Sequence, residues 1–268
     1  MSHRPAHAPA DLRVWLVPVD AATCARFAPL LSTAERGRAA RFRDPADGAR
    51  FTVGRGALRL LLGRCLGIAP PAVELTRAAH GRPALAGGAL DFNVAHAHRL
   101  VACAVSRTRR VGIDLEWIRV LREQHAVTAL ACDERERAWL DGLPPRGRRQ
   151  ALFELWTAKE ACLKAIGCGL LEEPAAVAVA LDPARPELPE HGAASFAGAP
   201  FALRRLPCPP GYRLTLATQP GGPAAEREQR MQRERVTPRR AAAAAPAGDP
   251  TGRRPRSSSA RPAPAGRA

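Results

Sequence analysis

The sequence predicts an α+β protein built of two similar halves and followed by a tail that does not fold. Three observations predict it. Short strand-like runs alternate with longer helical ones from residue 12 to residue 218. A helix–Gly–Pro–strand passage, LLGRCLGIAPPAVEL, is echoed about a hundred residues later by CLKAIGCGLLEEPAAVAVAL, as two halves related by a pseudo-two-fold axis would show. The same grammar also occurs in unrelated chains, so the pattern alone leaves coincidence open. Residues 219–268 are rich in Ala, Pro, Gly, Arg and Ser and nearly free of large apolar side chains, so they bury too little to offset the entropy of ordering. The division is therefore 1–108, 109–218 carrying the acidic and Lys-bearing motifs, and a disordered tail over 219–268.

Residues 12–19 (LRVWLVPV) read as a strand that Pro18 places at an edge or ends. Two helical segments follow Ser32, broken at Asp44-Pro45, because the residue before a proline is pushed out of the helical region. In the second, Phe51, Leu58, Leu61, Leu62 and Cys65 recur at helical spacing, and Gly67 closes the run. Strands are expected around 72–77, 91–95 and 99–106, where LVACAVS is a continuous apolar run suited to burial. RRVGIDLEWI at 109–118 is another strand, alternating over 111–116. Residues 124–141 and 148–166 read as helices separated by a 142–147 loop with Pro144-Pro145. Strands at 175–181, 200–206 and 212–218 complete the second half, and a frayed helix around 223–236 is the most the tail can form.

The 268 residues carry 41 Lys+Arg against 25 Asp+Glu, a formal net charge of +16. Such an excess suggests a nucleic-acid partner. Its distribution argues otherwise, since the 219–268 segment holds eleven Arg, no Lys and four acids, and so carries +7 of the total. That segment has no aromatics interleaved with its arginines, as a single-strand binder would. A basic nucleic-acid-binding or scaffold protein is therefore the rival class and not the first choice. No run of 18 uncharged apolar residues is present, and the first twenty residues lack the apolar stretch of a signal peptide. Seven cysteines without a CxxC pair fit free thiols in a reducing cytoplasm better than disulfides or a zinc ribbon. The expectation is a cytoplasmic monomer with no membrane and no nucleic acid among its partners. GxSxG and GxxxxGK(S/T) are both missing, which removes the α/β-hydrolase and P-loop classes.

Of the 41 basic residues only Lys159 and Lys164 are lysine, and both fall in LWTAKEACLK. Arg and Lys are not interchangeable where a compact ammonium is needed, so the exceptions mark a position of interest. In VGIDLE the period of two puts Gly112, Asp114 and Glu116 on one strand face and Val111, Ile113 and Leu115 on the other. Carboxylates two apart on a strand lie about 6.5–7 Å apart, a span that one divalent cation can bridge. A solvated face on an edge strand gives the same alternation and is the plainer reading of the strand alone; Gly112 counts a little toward close approach of a ligand. Trp156, Glu160 and Lys164 share a helix face at i, i+4, i+8. An ordinary Glu160–Lys164 pair is the plain reading; the functional one makes Glu160 a third hard oxygen ligand, with the lysines facing phosphate oxygens.

GIDLE followed by WTAKEACLK, with Asp114 and Trp156 42 positions apart, resembles the two-part signature of the 4′-phosphopantetheinyl transferases. HGRPAL at 80–85 and FNVAHA at 92–97 resemble two further segments of that family. The likeness covers about residues 12–218 and is to the larger pseudodimeric, surfactin-synthetase-activating type. It implies two α+β halves with pseudo-two-fold symmetry and transfer of the phosphopantetheine arm of coenzyme A to a serine of an apo acyl or peptidyl carrier protein, with release of 3′,5′-ADP. It also implies Mg²⁺ on Asp114, Glu116 and Glu160, and coenzyme A held by Arg50, Arg82, His96, Lys159 and Lys164, with Arg38 or Arg41 as lesser candidates. Glu160, Lys164 and Glu136 would act in catalysis, with Glu134 replacing Glu136 if the register slips. One departure is Ala95, where the family carries a serine before the histidine; Ala97 follows it. That change keeps open a relative that binds coenzyme A without transferring. Removal of 219–268 is expected to leave the melting temperature nearly unchanged, and a large fall in a thermal melt contradicts the division.

Overall fold

In the computed structural model, which describes residues 11–77, 82–167, 173–182, 185 and 187–221, each half opens on a strand that its last strand later returns to pair. The first half runs β1 (Leu12–Pro18), α1 (Ala21–Phe27), α2 (Thr33–Ala39), α3 (Pro45–Leu66), β2 (Leu75–Arg77), β3 (Pro83–Leu85), β4 (Asp91–Ala97) and β5 (Leu100–Ser106). Its sheet has the order β1-β5-β4, antiparallel throughout, with β2 and β3 as a separate ribbon. The second half runs β6 (Arg109–Trp117), α4 (Gln124–Ala131), α5 (Glu134–Gly142), α6 (Pro145–Ile166), β7 (Ala178–Val179), β8 (His191–Phe196), β9 (Ala199–Arg205) and β10 (Tyr212–Pro220). Its sheet has the order β6-β10-β9-β8-β7.

The echo in the sequence is an echo of elements. α3 and α6 each have 22 residues, end on a left-handed glycine (Gly67, φ 72; Gly167, φ 83) and lead into a Pro-started 3₁₀ turn, Pro70–Ala72 and Pro174–Ala176. Residues 168–172, part of the second copy, lie outside the described residues.

Local chemistry explains the boundaries. Ser32 with Glu35 and Asp133 with Glu136 form reciprocal capping boxes at the starts of α2 and α5. The second box corrects the single helix expected over 124–141: Asp133 starts a new helix after Cys132 turns extended. α6 begins at Pro145 itself, since proline suits the first turn, so the expected 142–147 loop is shorter. The sequence reading contains no α1, β3 or β8. HGAASF in β8 has little strand propensity, and its pairing with β9 through the left-handed pair Ala197 (φ 48) and Gly198 (φ 78) makes it a strand. β10 runs through Gln219 and Pro220, which stand opposite Arg110 and Arg109, so these two belong to the sheet and not to the tail. The remaining tail, from residue 222 on and including the helix expected around 223–236, lies outside the described residues.

α3 covers one face of the first sheet through Val53, Leu58, Leu61 and Leu62, and α6 covers one face of the second through Leu155, Ala158, Ala161 and Ala165. The other two faces meet each other: Leu12, Ala95, Ala102 and Ala104 pack against Val111, Ile113, Leu115, Leu214 and Leu216. Polar side chains tie β4 to β6. Asp91 Oδ2 accepts the Val111 N–H at 2.7 Å and Asn93 Oδ1 accepts the Ile113 N–H at 3.1 Å, standing in for the ladder that β6 lacks on that side.

Gly112 sets the closest approach in the fold. A Cβ there would lie 1.9 Å from the Ala161 carbonyl oxygen and 2.4 Å from the Ala165 nitrogen of α6. The partner that needs this glycine is therefore the helix backbone and not the ligand expected from sequence. Gly112→Ala is expected to lower stability by about 3 kcal/mol, read by chemical denaturation; a change within about 0.5 kcal/mol contradicts the contact.

Candidate functional site

The seat at Gly112 lays the α6 turns carrying Glu160 and Lys164 over the strand face that carries Asp114. Asp114 is 4% exposed. Lys164 Nζ donates to its Oδ1 at 2.5 Å, while Oδ2 is buried without a hydrogen-bond partner. Glu116, one pleat further along the same face, is partly open and meets Arg119 Nη1 at 3.3 Å. Burial raises the pKa of Asp114, against the pull of Lys164. Burial first and the Asp114 charge second raise those of Glu116 and Glu160. The Asp114 charge thus reaches both glutamates in partly dehydrated surroundings. At the end of β4, His96 looks out on the opposite side from buried Ala95. Burial, then the charges of Arg50 and Lys164, lower its pKa, which keeps the imidazole neutral near pH 7. Arg50, on the first turns of α3, is steadied by Asp47 at 2.5 Å.

Those six residues are brought together: Asp114, Glu116, Glu160, Lys164, His96 and Arg50. Three others expected with them are not. Lys159 points the opposite way from Glu160, into the core at 0% exposure, with its ammonium on Glu136 Oε2 (2.7 Å), Val177 O (2.7 Å) and Pro174 O (3.2 Å). Three acceptors match its three N–H groups, a geometry suited to a compact ammonium. Glu136, also 0% exposed, is held by Lys159 and by its own capping box, which removes it from contact with a substrate. Arg82 is a clasp between the halves: Nη1 donates to Ala165 O, and Nη2 to Asp91 Oδ1, Phe92 O and Val111 O. Its neighbours in the matching segment, His80 and Gly81, lie outside the described residues. Arg38 and Arg41 are exposed on and just after α2, with Arg38 over the Phe51 ring at 5.2 Å, and Glu134 is exposed at the start of α5.

Asp114 Oδ2 is a buried oxygen without a partner, beside two carboxylates whose pKa values are raised by burial and then by the Asp114 charge. This donor set, all hard oxygens, fits a magnesium ion. Among the described residues no three His, Cys, Asp or Glu side chains are gathered closely enough to hold a metal ion by themselves; a magnesium ion there would need ligand phosphates and water as well.

Comparison with known proteins assigns a family. Residues 110–216 match the 4′-phosphopantetheinyl transferase superfamily, and residues 18–108 match the 4′-phosphopantetheinyl transferase N-terminal family. The 4′-phosphopantetheinyl transferase HetI of Nostoc sp. is 38% identical over 184 residues, covering 66% of this chain and 76% of that protein. The chain belongs to the 4′-phosphopantetheinyl transferase superfamily. Among its relatives are the 4′-phosphopantetheinyl transferase gsp of Aneurinibacillus migulanus, 30% identical over 48% of this chain and 53% of that one, and a phosphopantetheinyl transferase of Thraustochytrium sp., 29% identical over 60% and 63%.

Within this transferase family the departure at Ala95 has a local explanation. At 3% exposure it packs between the two sheets, where a methyl group needs no hydrogen-bond partner and a hydroxyl would. Sequence reasoning missed Arg119, His98 and Trp117, which border the site; only the position of Arg119 three residues after Glu116 is a readable signal. Among the described residues no helix is long and apolar enough to cross a membrane, and the six described cysteines are free.

The raised carboxylate pKa values have a consequence for stability. In the metal-free protein the folded state holds protons that the unfolded chain has already released, so stability falls as pH rises from the ordinary values of 3.8 and 4.5 through the raised ones. Asp114→Asn removes the charge the other two feel. It is expected to flatten that fall on the alkaline side of about pH 4 in chelator, measured as melting temperature against pH; an unchanged slope contradicts the coupling.

Proposed function

We propose that this chain transfers the 4′-phosphopantetheine arm of coenzyme A to a serine of an apo acyl or peptidyl carrier protein and releases 3′,5′-ADP. The observation that carries the reading is the Asp114–Glu116–Glu160 set with Lys164 on its edge, in a chain of this superfamily. The pseudo-two-fold relation of its halves, expected of the larger family type, is supported by the repeated order of elements.

The residues have separable tasks. Asp114, Glu116 and Glu160 would hold Mg²⁺, which when bound offsets charge on the coenzyme A pyrophosphate. Lys164 exchanges its contact with Asp114 for a phosphate oxygen and balances the charge that builds on the leaving group. Arg50, with His96 as a neutral hydrogen-bonding neighbour, faces the nucleotide end. The serine oxygen forms the new bond to the β-phosphorus, the bond from that phosphorus to the bridging oxygen breaks, and 3′,5′-ADP takes the electron pair. Of the two acids expected to act as base, Glu160 is the one open enough to accept the serine proton. Glu136 is too deeply enclosed to do so. Positioning and charge neutralisation do most of the work in such transfers.

Incubation with coenzyme A, Mg²⁺ and a panel of apo carrier domains is expected to add one phosphopantetheine mass to at least one carrier. Asp114→Ala or chelator is expected to lower the rate about 100-fold or more. Full activity in either case overturns the assignment, and coenzyme A binding without transfer to any carrier replaces it with the binding-only reading.

A further inference from the structure

His98 and Arg99 form the two-residue loop between β4 and β5, since Ala97 pairs with Leu100. His98 has φ 49, the left-handed region that such loops require and that Gly or Asn usually fills. A histidine persists there when its surroundings hold it, and two contacts do. Its ring stacks on Trp117 with centroids 4.2 Å apart and planes within 19°. Its Nδ1 lies 3.1 Å from the hydroxyl of Tyr212, the chain's only tyrosine, which also accepts the Arg99 N–H at 3.3 Å. Trp117 and Tyr212 face each other across the β6–β10 ladder. An imidazole from the first half is thus wedged against a cross-strand aromatic pair of the second.

The same loop meets the site directly on one side and the strand carrying the carboxylates on the other. The His98 carbonyl accepts from Arg50 Nη1 at 3.2 Å, and His96 stands two residues back on β4. Across the stack, Trp117 directly follows Glu116. The left-handed turn therefore aims its carbonyl at one group of the site while its ring docks on the strand that carries the carboxylates, on the face opposite Glu116.

We propose that His98 is a positioning residue: its stack on Trp117 sets the spacing between Arg50 and His96 on the first half and the carboxylates of β6 on the second, so that one coenzyme A can reach both. The proposal rests on the coenzyme A reading above. A ligand that bridges two bodies loses affinity when their spacing relaxes, although every contacting group remains.

The test is coenzyme A affinity in Mg²⁺, by calorimetry, for the whole chain and its variants. His98→Gly suits the backbone and removes the ring; Trp117→Ala removes the other half of the stack without touching the turn. Each is expected to weaken binding about tenfold, and the double variant no further than the weaker single one, since they break one contact. His98→Phe, which keeps a ring on Trp117, is expected to recover most of the affinity. Tryptophan emission reports the stack independently: His98→Gly should change it in the wild-type background and not in Trp117→Phe. Wild-type affinity in His98→Gly, multiplicative losses in the double variant, or His98→Phe as weak as His98→Gly each overturn the proposal. A wild type that binds coenzyme A and modifies no carrier defeats the transfer reading alone, with the positioning role still measured by binding. A wild type that does not bind coenzyme A defeats both.

Discussion

The close seating of the α6 backbone on β6 governs the geometry of everything around it. With a side chain at residue 112 the helix would stand off by the width of a methyl group or more. Lys164 would then leave Asp114, and Glu160 would no longer share its field. The same face that gives up its side chain at Gly112 presents a carboxylate at Asp114 and another at Glu116, so packing and chemistry alternate along one strand edge. Small residues on the helix, Ala158, Ala161 and Ala165, complete the fit from the other side.

The two lysines of this Arg-rich chain show two ways of handling a charge away from water. Lys159 and Glu136 are fully enclosed, and the ammonium has three acceptors, so the pair fastens α5 and the 3₁₀ turn Pro174–Ala176 to α6. Lys164 and Asp114 form a contact of similar closeness but with the ammonium partly open; in each pair one carboxylate oxygen, Glu136 Oε1 or Asp114 Oδ2, has no hydrogen-bond partner. The enclosed pair gives rigidity, whereas the pair with the open ammonium is the one that a ligand can reach. They sit five residues apart on one helix because residues 159 and 164 face different sides of it.

Joining the halves is a third constraint. The two sheets share an apolar interface made largely of alanine and aliphatic side chains, which carries little directional information. Direction comes from polar bridges at its margin: Asp91 and Asn93 on the β6 amides, Arg82 on four acceptors drawn from both halves, and Tyr212 on the β4–β5 turn. Arg82 and Asp91 matter to the site because they hold the frame in which residues from both halves meet.

By itself the sequence determined the α+β class, most elements, the division between helices α3 and α6 and their sheets, and the acidic strand face with its partner helix. These are consequences of periodicity, of Pro and Gly at element ends, and of a motif pair confined to two elements, so short-range pattern was enough. It went wrong where an outcome depends on which way a side chain turns once elements pack. Lys159 is adjacent to Glu160 in the chain and on the other side of the helix in space; Glu136 is acidic and twenty residues before Trp156, yet its neighbours are a cap and a buried ammonium. Gly112 read as room for a ligand and proved to be room for a helix. The stack of His98 on Trp117 joins residues with no sequence relation. Only the tertiary structure decides such matters, because the energy that settles them comes from burial and from long-range partners that no local window contains.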